Sequence, residues 1–344
     1  MIDPIRIALP SKGHLYEGIV EILKVAGYKV KRASDRQYEA TIAGQPRFHV
    51  VFMRPTDIVD QVQQGRCHLG VTGMDVYAEH ADDAGASTVV TADLGYGGCR
   101  LVVAVPESWI DVTHMLDLVD LTSEFKAEGK AFRVSTKYPR LVRDAFRTWG
   151  IYYYQMIASD GALELHPSLG IADIIVDLTS SGATLRDNRL REIGSGTILD
   201  SASCLVGHTA SLAELVAEGE GGPLANLLDA IDGVKASEGW LHLEVVGQPA
   251  AGADTAGRVA EFLADQGAQH VYRGEVLDGA GGPGWRVTGL IEAKRLAPCQ
   301  RRLFAMGAAR VVGLPTRFVF DRDAASTFSR LAATLAERPA PLAR

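Results

Sequence analysis

The chain has 344 residues, 47% of them hydrophobic, which supports a large core in two or three domains and excludes wholesale disorder. Acidic residues outnumber basic ones, 42 to 35, for a formal net charge of −7; this argues against a nucleic-acid-binding surface while leaving room for a local basic pocket for phosphates. The four cysteines (Cys67, Cys99, Cys204 and Cys299) lack metal-ligand or disulfide-framework spacing, and no apolar run of about 18 residues predicts a membrane span.

Strand and helix patterns alternate through the first hundred residues. The apolar run at 5–9 predicts a strand ending in Pro10, Ser11, Lys12 and Gly13. The chain enters this strand without a signal-peptide pattern, so a cytoplasmic location is expected. Leu15, Ile19, Ile22, Leu23 and Ala26 follow at helical spacing, and Gly27 is a natural stop. A strand is predicted over 48–53, then a helix opened by Pro55, carrying Ile58, Val59 and Val62, and ended by Gly65. A short buried strand at 69–71 leads to Thr72, Gly73, Met74 and Asp75. Such alternation predicts a mostly parallel sheet with helices on both faces.

A second unit starts with a strand at 101–105. A strand at 132–134 is followed by a helix bearing Leu141, Val142, Ala145, Phe146 and Trp149, with Gly150 at its end. The next strand runs over 174–178. Strand patterns at 197–199 and 203–206 suggest that the chain returns to the first unit near residue 190. The expected organisation is one lobe from 1–100 with 190–215, a second lobe from 101–189, and a third domain over 236–325. Residues 218–223 read as a linker, and 224–231 as a helix. The third region reads β-α-β-β-α-β: strand 240–246, a helix with Val259, Phe262 and Leu263, strands at 270–272 and 285–291, a helix through Leu303 and Met306, and a strand from 311. That order is ferredoxin-like. Loops 247–255 and 278–284, rich in Gly, Ala and Pro, are expected to be mobile, and the tail from Arg338 disordered.

The segment 174–186 carries the most chemistry. An apolar strand emerges at Asp177 and passes into Thr179, Ser180, Ser181, Gly182, Ala183 and Thr184. Small residues let several N–H groups and hydroxyls approach one phosphate, and an acid just before them can hold sugar hydroxyls. This pattern suits a ribose 5-phosphate; the Gly-Lys-Ser/Thr ending of a Walker loop is missing. The alternative is a plain strand-to-helix turn in which Gly182 only relieves backbone strain.

Six ordered motifs then carry a resemblance: ALPSKGHL (8–15), RPTDI (54–58), HLGVTGMD (68–75), DLGYGGCRL (93–101), STKYP (135–139) and GIADIIVDLTSSGATL (170–185). Together, over roughly residues 5–206, they resemble ATP phosphoribosyltransferase, the first enzyme of histidine biosynthesis. The resemblance implies an α/β fold: a two-lobed, periplasmic-binding-protein-like catalytic part, with a C-terminal ferredoxin-like α+β domain in the longer members. It implies that N1 of ATP attacks C1 of 5-phosphoribosyl 1-pyrophosphate (PRPP), giving phosphoribosyl-ATP and pyrophosphate, with Mg2+ held mainly through the pyrophosphate. ASEGWLHLEVV (236–246) and GAARVVGLP (307–315) are similar to strands of the regulatory domain of long, hexameric members, which are inhibited by L-histidine. The ending TRFVF (316–320) departs from that pattern, so inhibitor-contact residues are not carried over.

On this reading, Thr179, Ser180, Ser181, Gly182, Ala183 and Thr184 hold the PRPP 5-phosphate and Asp177 the ribose hydroxyls. Asp173, four residues earlier and on the same strand face, supports Asp177 or else caps a surface turn. Adenine N1 has no proton to remove, so cations on the pyrophosphate matter more than a base. The candidates are Lys12, Arg54 and Arg100, with Lys137 a further one; the alternative for each is a solvated surface charge. The ATP face is assigned Lys12, Gly13, His14, Gly73, Asp75, Tyr138 and Glu164. His14 stands where many relatives have arginine. Asp75 is alternatively a helix N-cap and Tyr138 a packing residue. Two other functions share this fold: a non-catalytic small-molecule binding protein and a phosphoribosyltransferase for another base.

Overall fold

A computed structural model describes residues 4–34, 36–82, 84–159, 161–248, 254–277, 283–321 and 324–337. The chain divides into two compact units. Parts of loops 247–255 and 278–284, and the tail from Arg338, lie outside the described residues.

The first unit runs to Asn226 and includes the late helix Thr327–Glu337. It opens with β1 (Ile5–Pro10), α1 (His14–Val25), β2 (Val30–Lys31), β3 (Glu39–Ile42), β4 (Phe48–Met53), α2 (Pro55–Gln63), β5 (Leu69–Gly73), α3 (Met74–His80) and β6 (Ser87–Thr91). Then come β7 (Cys99–Pro106), α4 (Met115–Ala127), β8 (Arg133–Thr136), α5 (Pro139–Thr148), β9 (Gln155–Ala158), β10 (Ile174–Thr179), α6 (Ala183–Asp187), β11 (Leu190–Ser201), β12 (Ser203–His208) and α7 (Thr209–Ala217).

These strands form two sheets, the cores of two lobes. The first has the order β2-β3-β4-β1-β5-β12-β6. Its centre is parallel, β4-β1-β5, and carries Ile7, Leu9, Val50, Phe52, Leu69 and Val71 into the core. The flanks are antiparallel, because β3 turns back on β4 and β12 on β5. The expected parallel sheet is therefore mixed. The irregular segment 30–42 hid the two edge strands from a periodicity reading. The second sheet has the order β11-β7-β10-β8-β9 around Leu101, Val103, Val134, Phe146, Ile174 and Val176.

The return from the second sheet comes later than residue 190. β11 stays paired with β7 as far as Ser201, opposite Cys99, and the chain crosses at Ala202. A register shift between Glu192 and Thr197, across Gly194, Ser195 and Gly196, interrupts the apolar pattern without ending the strand. The two crossing segments are tied together: Leu94 N–H donates to the Ser203 carbonyl (2.8 Å) and Ser203 N–H to that of Tyr96 (3.0 Å).

The second unit, Leu227–Ser326, is built on an antiparallel sheet. Most of α8 (Pro223–Ser237) belongs to it, followed by β13 (Trp240–Gly247), α9 (Thr255–Asp265), β14 (Gln269–Leu277), β15 (Pro283–Glu292), α10 (Ala293–Ala305) and β16 (Ala308–Pro315). The strand order β14-β15-β13-β16, with helices after the first and third strands, is the ferredoxin-like arrangement. Leu243, Val245, Val259, Leu263, Val287 and Leu303 form its core. The late helix Thr327–Glu337, α11, rejoins the first unit.

Candidate active site

Ile174, Ile175 and Val176 are fully buried in the middle of the second sheet, so β10 delivers Asp177 to the sheet's edge of the core. Beyond it the loop bonds to itself. Thr179 Oγ1 accepts the Gly182 N–H at 2.9 Å, and Ser181 Oγ that of Ala183 at 3.4 Å. Gly182 has φ +72°, where a side chain is strained, and a Cβ there would meet Arg186 Nη1 at 2.8 Å. The first N–H groups of α6 have no intrahelical partner, and that of Ala183 is taken by the Ser181 hydroxyl. A cavity of about 140 Å³ results, lined by Glu164, Asp177, Ser180, Ser181, Ala183 and Thr184 among others. Pockets for whole drug-sized ligands run from roughly 300 Å³ upward, so this one suits a phosphate with part of its sugar. Burial pushes the Asp177 carboxyl above its ordinary value and the charge of Glu164 adds to this, while the Leu178 N–H and Lys137 pull it down.

Glu164, which the resemblance puts on the ATP face, lies instead in the loop cavity with Asp177, on the short 3-10 turn Leu163–Leu165. The turn is pinned by a Ser135 Oγ···His166 Nδ1 hydrogen bond of 2.8 Å. Arg100 also lies beside the loop, paired in register with Thr179. It makes a two-pronged ion pair with Glu192, at 2.9 and 3.2 Å.

Asp173 is not brought to the loop. It precedes β10 at the far end, roughly 13 Å of strand from Asp177. There its Oδ2 accepts the Arg133 N–H at 2.7 Å and its Oδ1 pairs with Arg133 Nη2 at 2.9 Å. The spacing gave the right face but the wrong end of the strand.

The first sheet builds a second, larger pocket of about 770 Å³. β1 and β4 run side by side with Pro10 opposite Met53, so Lys12 and Gly13 leave one strand next to where Arg54 leaves the other. All three line the pocket, and Ser11 N–H to the Met53 carbonyl (3.0 Å) fixes the pair of exits. Such carboxyl ends of parallel strands are where open α/β sheets take ligands. The pocket also holds Arg32, Tyr16, Tyr38, Glu17 and Asp57, none of which the sequence reading singled out. Arg32 stacks its guanidinium 4.2 Å from the centre of the Phe52 ring, and its Nε donates to the Gln37 carbonyl at 2.7 Å. It follows a two-residue strand in a stretch with no periodic signal, which is why it was missed.

His14 opens α1 and turns to Tyr96, with ring centroids 5.8 Å apart. Tyr96 in turn donates to the Leu15 carbonyl at 2.9 Å. Its ring lies where a Cβ on Gly18 would be, at 2.2 Å, so only glycine fits there.

Asp75 and Tyr138 contact each other. Tyr138 Oη donates to Asp75 Oδ2 at 2.7 Å, and Ser201 Oγ to Asp75 Oδ1 at 2.7 Å. Asp75 is not the helix cap; Gly73 holds that position, and a Cβ on it would meet Asp75 Oδ1 at 2.4 Å. Both Asp75 and Tyr138 are buried, so the Tyr138 ring offers no open face to a base. Among the described residues there is no cluster of three or more His, Cys, Asp or Glu that could hold a metal ion, and no helix is long and apolar enough to cross a membrane.

The family model described as HisG, ATP phosphoribosyltransferase, matches residues 54–232. The chain belongs to the ATP phosphoribosyltransferase family. It is 41% identical over 220 residues to the ATP phosphoribosyltransferase of Brucella suis, covering 62% of this chain and 95% of that protein. Against the Mesorhizobium japonicum enzyme it is 40% identical over 205 residues, 59% of this chain and 88% of that one. A solved chain of the ATP phosphoribosyl transferase (HisG:HisZ) complex from Thermotoga maritima shares the fold, with a TM-score of 0.51 at 23% identity over 66% of this chain and 98% of that one. As a member of the family, the chain is a glycosyltransferase-type enzyme of the first step of histidine biosynthesis, using ATP and PRPP as substrates.

Proposed function

We propose that the loop Thr179–Thr184 with Asp177 is the PRPP end of this transferase's site and that the Lys12–Arg32–Arg54 pocket is its pyrophosphate and nucleotide end. The observation that carries the reading is the small cavity closed by Asp177 and the hydroxyl loop. It offers the hydroxyls of Ser180, Ser181 and Thr184 as donors for a 5-phosphate and Asp177 as the acid for the ribose hydroxyls, with Glu164 a second carboxylate on its wall. Its position fixes C1 while ATP approaches. As pyrophosphate departs, C1 gains positive charge and the leaving oxygens gain negative charge. Lys12, Arg32 and Arg54 answer that charge without a protein base, because adenine N1 arrives with a free lone pair. Arg100 joins them once a phosphate competes with Glu192 for its guanidinium.

Mg2+ is the cofactor we assign. Glu17 and Asp57 line the pocket with the three cations, and this ion takes one or two carboxylates plus substrate phosphates rather than an all-protein cage. When bound, it neutralises the pyrophosphate.

The ferredoxin-like unit is proposed as a regulatory domain inhibited by L-histidine, in a homo-oligomer between dimer and hexamer, working in the cytoplasm. The proposed boundaries are the two lobes through about residue 215, meeting at 98 and 202, and the regulatory domain over 236–325. The Thermotoga neighbour is part of a two-component complex, so a separate partner is the competitor to self-assembly. The test is ultraviolet absorbance with ATP, PRPP and Mg2+, with pyrophosphatase added, in the presence and absence of L-histidine. A rise that needs all three components and is suppressed by histidine is expected. A rise indifferent to histidine removes the regulatory role, and no rise from the folded chain alone points to the missing partner.

A further inference from the structure

Helix α3 belongs to the first lobe and carries two carboxylates four residues apart, Asp75 and Glu79, which therefore share one helix face. Both are nearly inaccessible, at 5% and 7% exposure. Both bond to the second lobe. Asp75 takes the Tyr138 hydroxyl, as described above. Glu79 accepts the Arg140 N–H on Oε1 at 2.8 Å and the Leu141 N–H on Oε2 at 2.9 Å. Those donors are the ones helix α5 leaves open: Pro139 occupies its first position and has no N–H, so the next two are the first in need of an acceptor. The contact is reciprocal, since Arg140 Nη1 donates to the Ala81 carbonyl at the end of α3. Ser201, which holds the other Asp75 oxygen, ends β11 just before the chain crosses between the lobes.

Among the described residues, the side-chain partners of both buried carboxylates lie across the lobe boundary, so the pair does not serve the packing of either lobe alone. We propose that Asp75 and Glu79 are positioning residues that set the angle between the lobes, so that the cations of the first sheet meet the ribose held on the second. This rests on the assignment of the two pockets made above. It predicts a division of effects. A substrate held by one lobe keeps its affinity when the contact is loosened, and the step that needs both lobes slows. Misplacement by about 1 Å remote from the chemistry is enough for roughly a 100-fold loss.

The test compares Glu79→Gln and Tyr138→Phe with Val142→Ala, which thins the α5 core while keeping every hydrogen-bonding group of the contact. For the first two we expect a PRPP dissociation constant within about 2-fold of the parent and kcat lowered roughly 10- to 100-fold. Amide hydrogen exchange should be faster at Arg140, Leu141 and the crossing residues 94–98. Val142→Ala should lower the melting temperature and leave kcat in place below it. Unchanged kcat in both contact variants, or losses of affinity and rate in step with thermal stability as in Val142→Ala, overturns the proposal. If Glu79→Gln does not fold, Tyr138→Phe decides alone, because it deletes one hydroxyl. Asp177→Asn run alongside separates the two readings: PRPP affinity untouched by it refutes the pocket assignment, whereas the exchange measurement still decides the lobe contact.

Discussion

The two pockets of the catalytic unit hold charge in opposite ways. The cavity at the end of β10 is small and made from one continuous segment plus Glu164, and its donors are the hydroxyls of Thr179, Ser180, Ser181 and Thr184. The pocket at the ends of β1 and β4 is about 770 Å³ and draws Lys12, Arg32 and Arg54 from three separate segments. A fixed dianion that never changes during the reaction is well held by preorganised dipoles. A leaving pyrophosphate, whose charge grows in the transition state, needs full cations. On the proposed assignment, one end of the site is built for affinity and the other for rate.

The sharpest way to break this division is to remove cations. Arg54→Ala and Arg32→Ala are each expected to lower kcat about 100- to 1000-fold, or about 2.7–4 kcal/mol, the usual cost of one lost stabilising donor. Steady-state kinetics should show the PRPP dissociation constant little changed. If PRPP binding falls while kcat stays, the division is wrong, because these groups would then be gripping the ground state.

A middle-sized effect is expected at the other end. Asp177→Asn should raise the KM for PRPP roughly 10- to 100-fold, since a charged acceptor for hydroxyls is worth about 1.5–3 kcal/mol. The parent carboxyl titrates above its ordinary range, with burial as the main cause. In the proposed role the ionised form binds the ribose, so kcat/KM should fall as pH drops through this raised value. Glu164→Gln removes a negative neighbour and should move the acid limb to lower pH; Lys137→Met removes a positive one and should move it higher. Limbs that move the other way, or not at all, would detach Asp177 from the PRPP step.

Legibility followed the same division. The β10 loop could be read because its strand, acid and turn are contiguous, and each carries a local signal. Lys12 and Arg54 were legible as residues at strand ends, but their meeting depends on the parallel pairing of β1 with β4. Arg32 had no signal, since its position follows from an edge strand of two residues. The ferredoxin-like order was legible because all four of its strands alternate cleanly or sit beside glycine stops. The crossing point was not, because the bulge over Gly194–Gly196 looks in sequence like an end. Asp75 and Tyr138 were picked out as residues of interest. That they bond to one another across the lobes is a long-range fact that spacing does not carry.

The finest distinction is between Asp177 on β10 and Asp173 just before it, where the effect on activity should be least. Asp173 shares a face with Asp177 yet serves Arg133, taking its backbone N–H and its guanidinium together. Asp173→Ala would leave that N–H without its acceptor at a part-buried site, a loss of roughly 1–3 kcal/mol in stability. Because Arg133 keeps a third of its side-chain surface exposed, water compensates part of this, and the lower end of the range is expected. Thermal or urea unfolding should register the change, while KM for PRPP stays within about 2-fold of the parent, a distant site being additive with the active one. A PRPP defect as large as that of Asp177→Asn would mean that the far end of β10 reaches the substrate after all, through the strand rather than through contact.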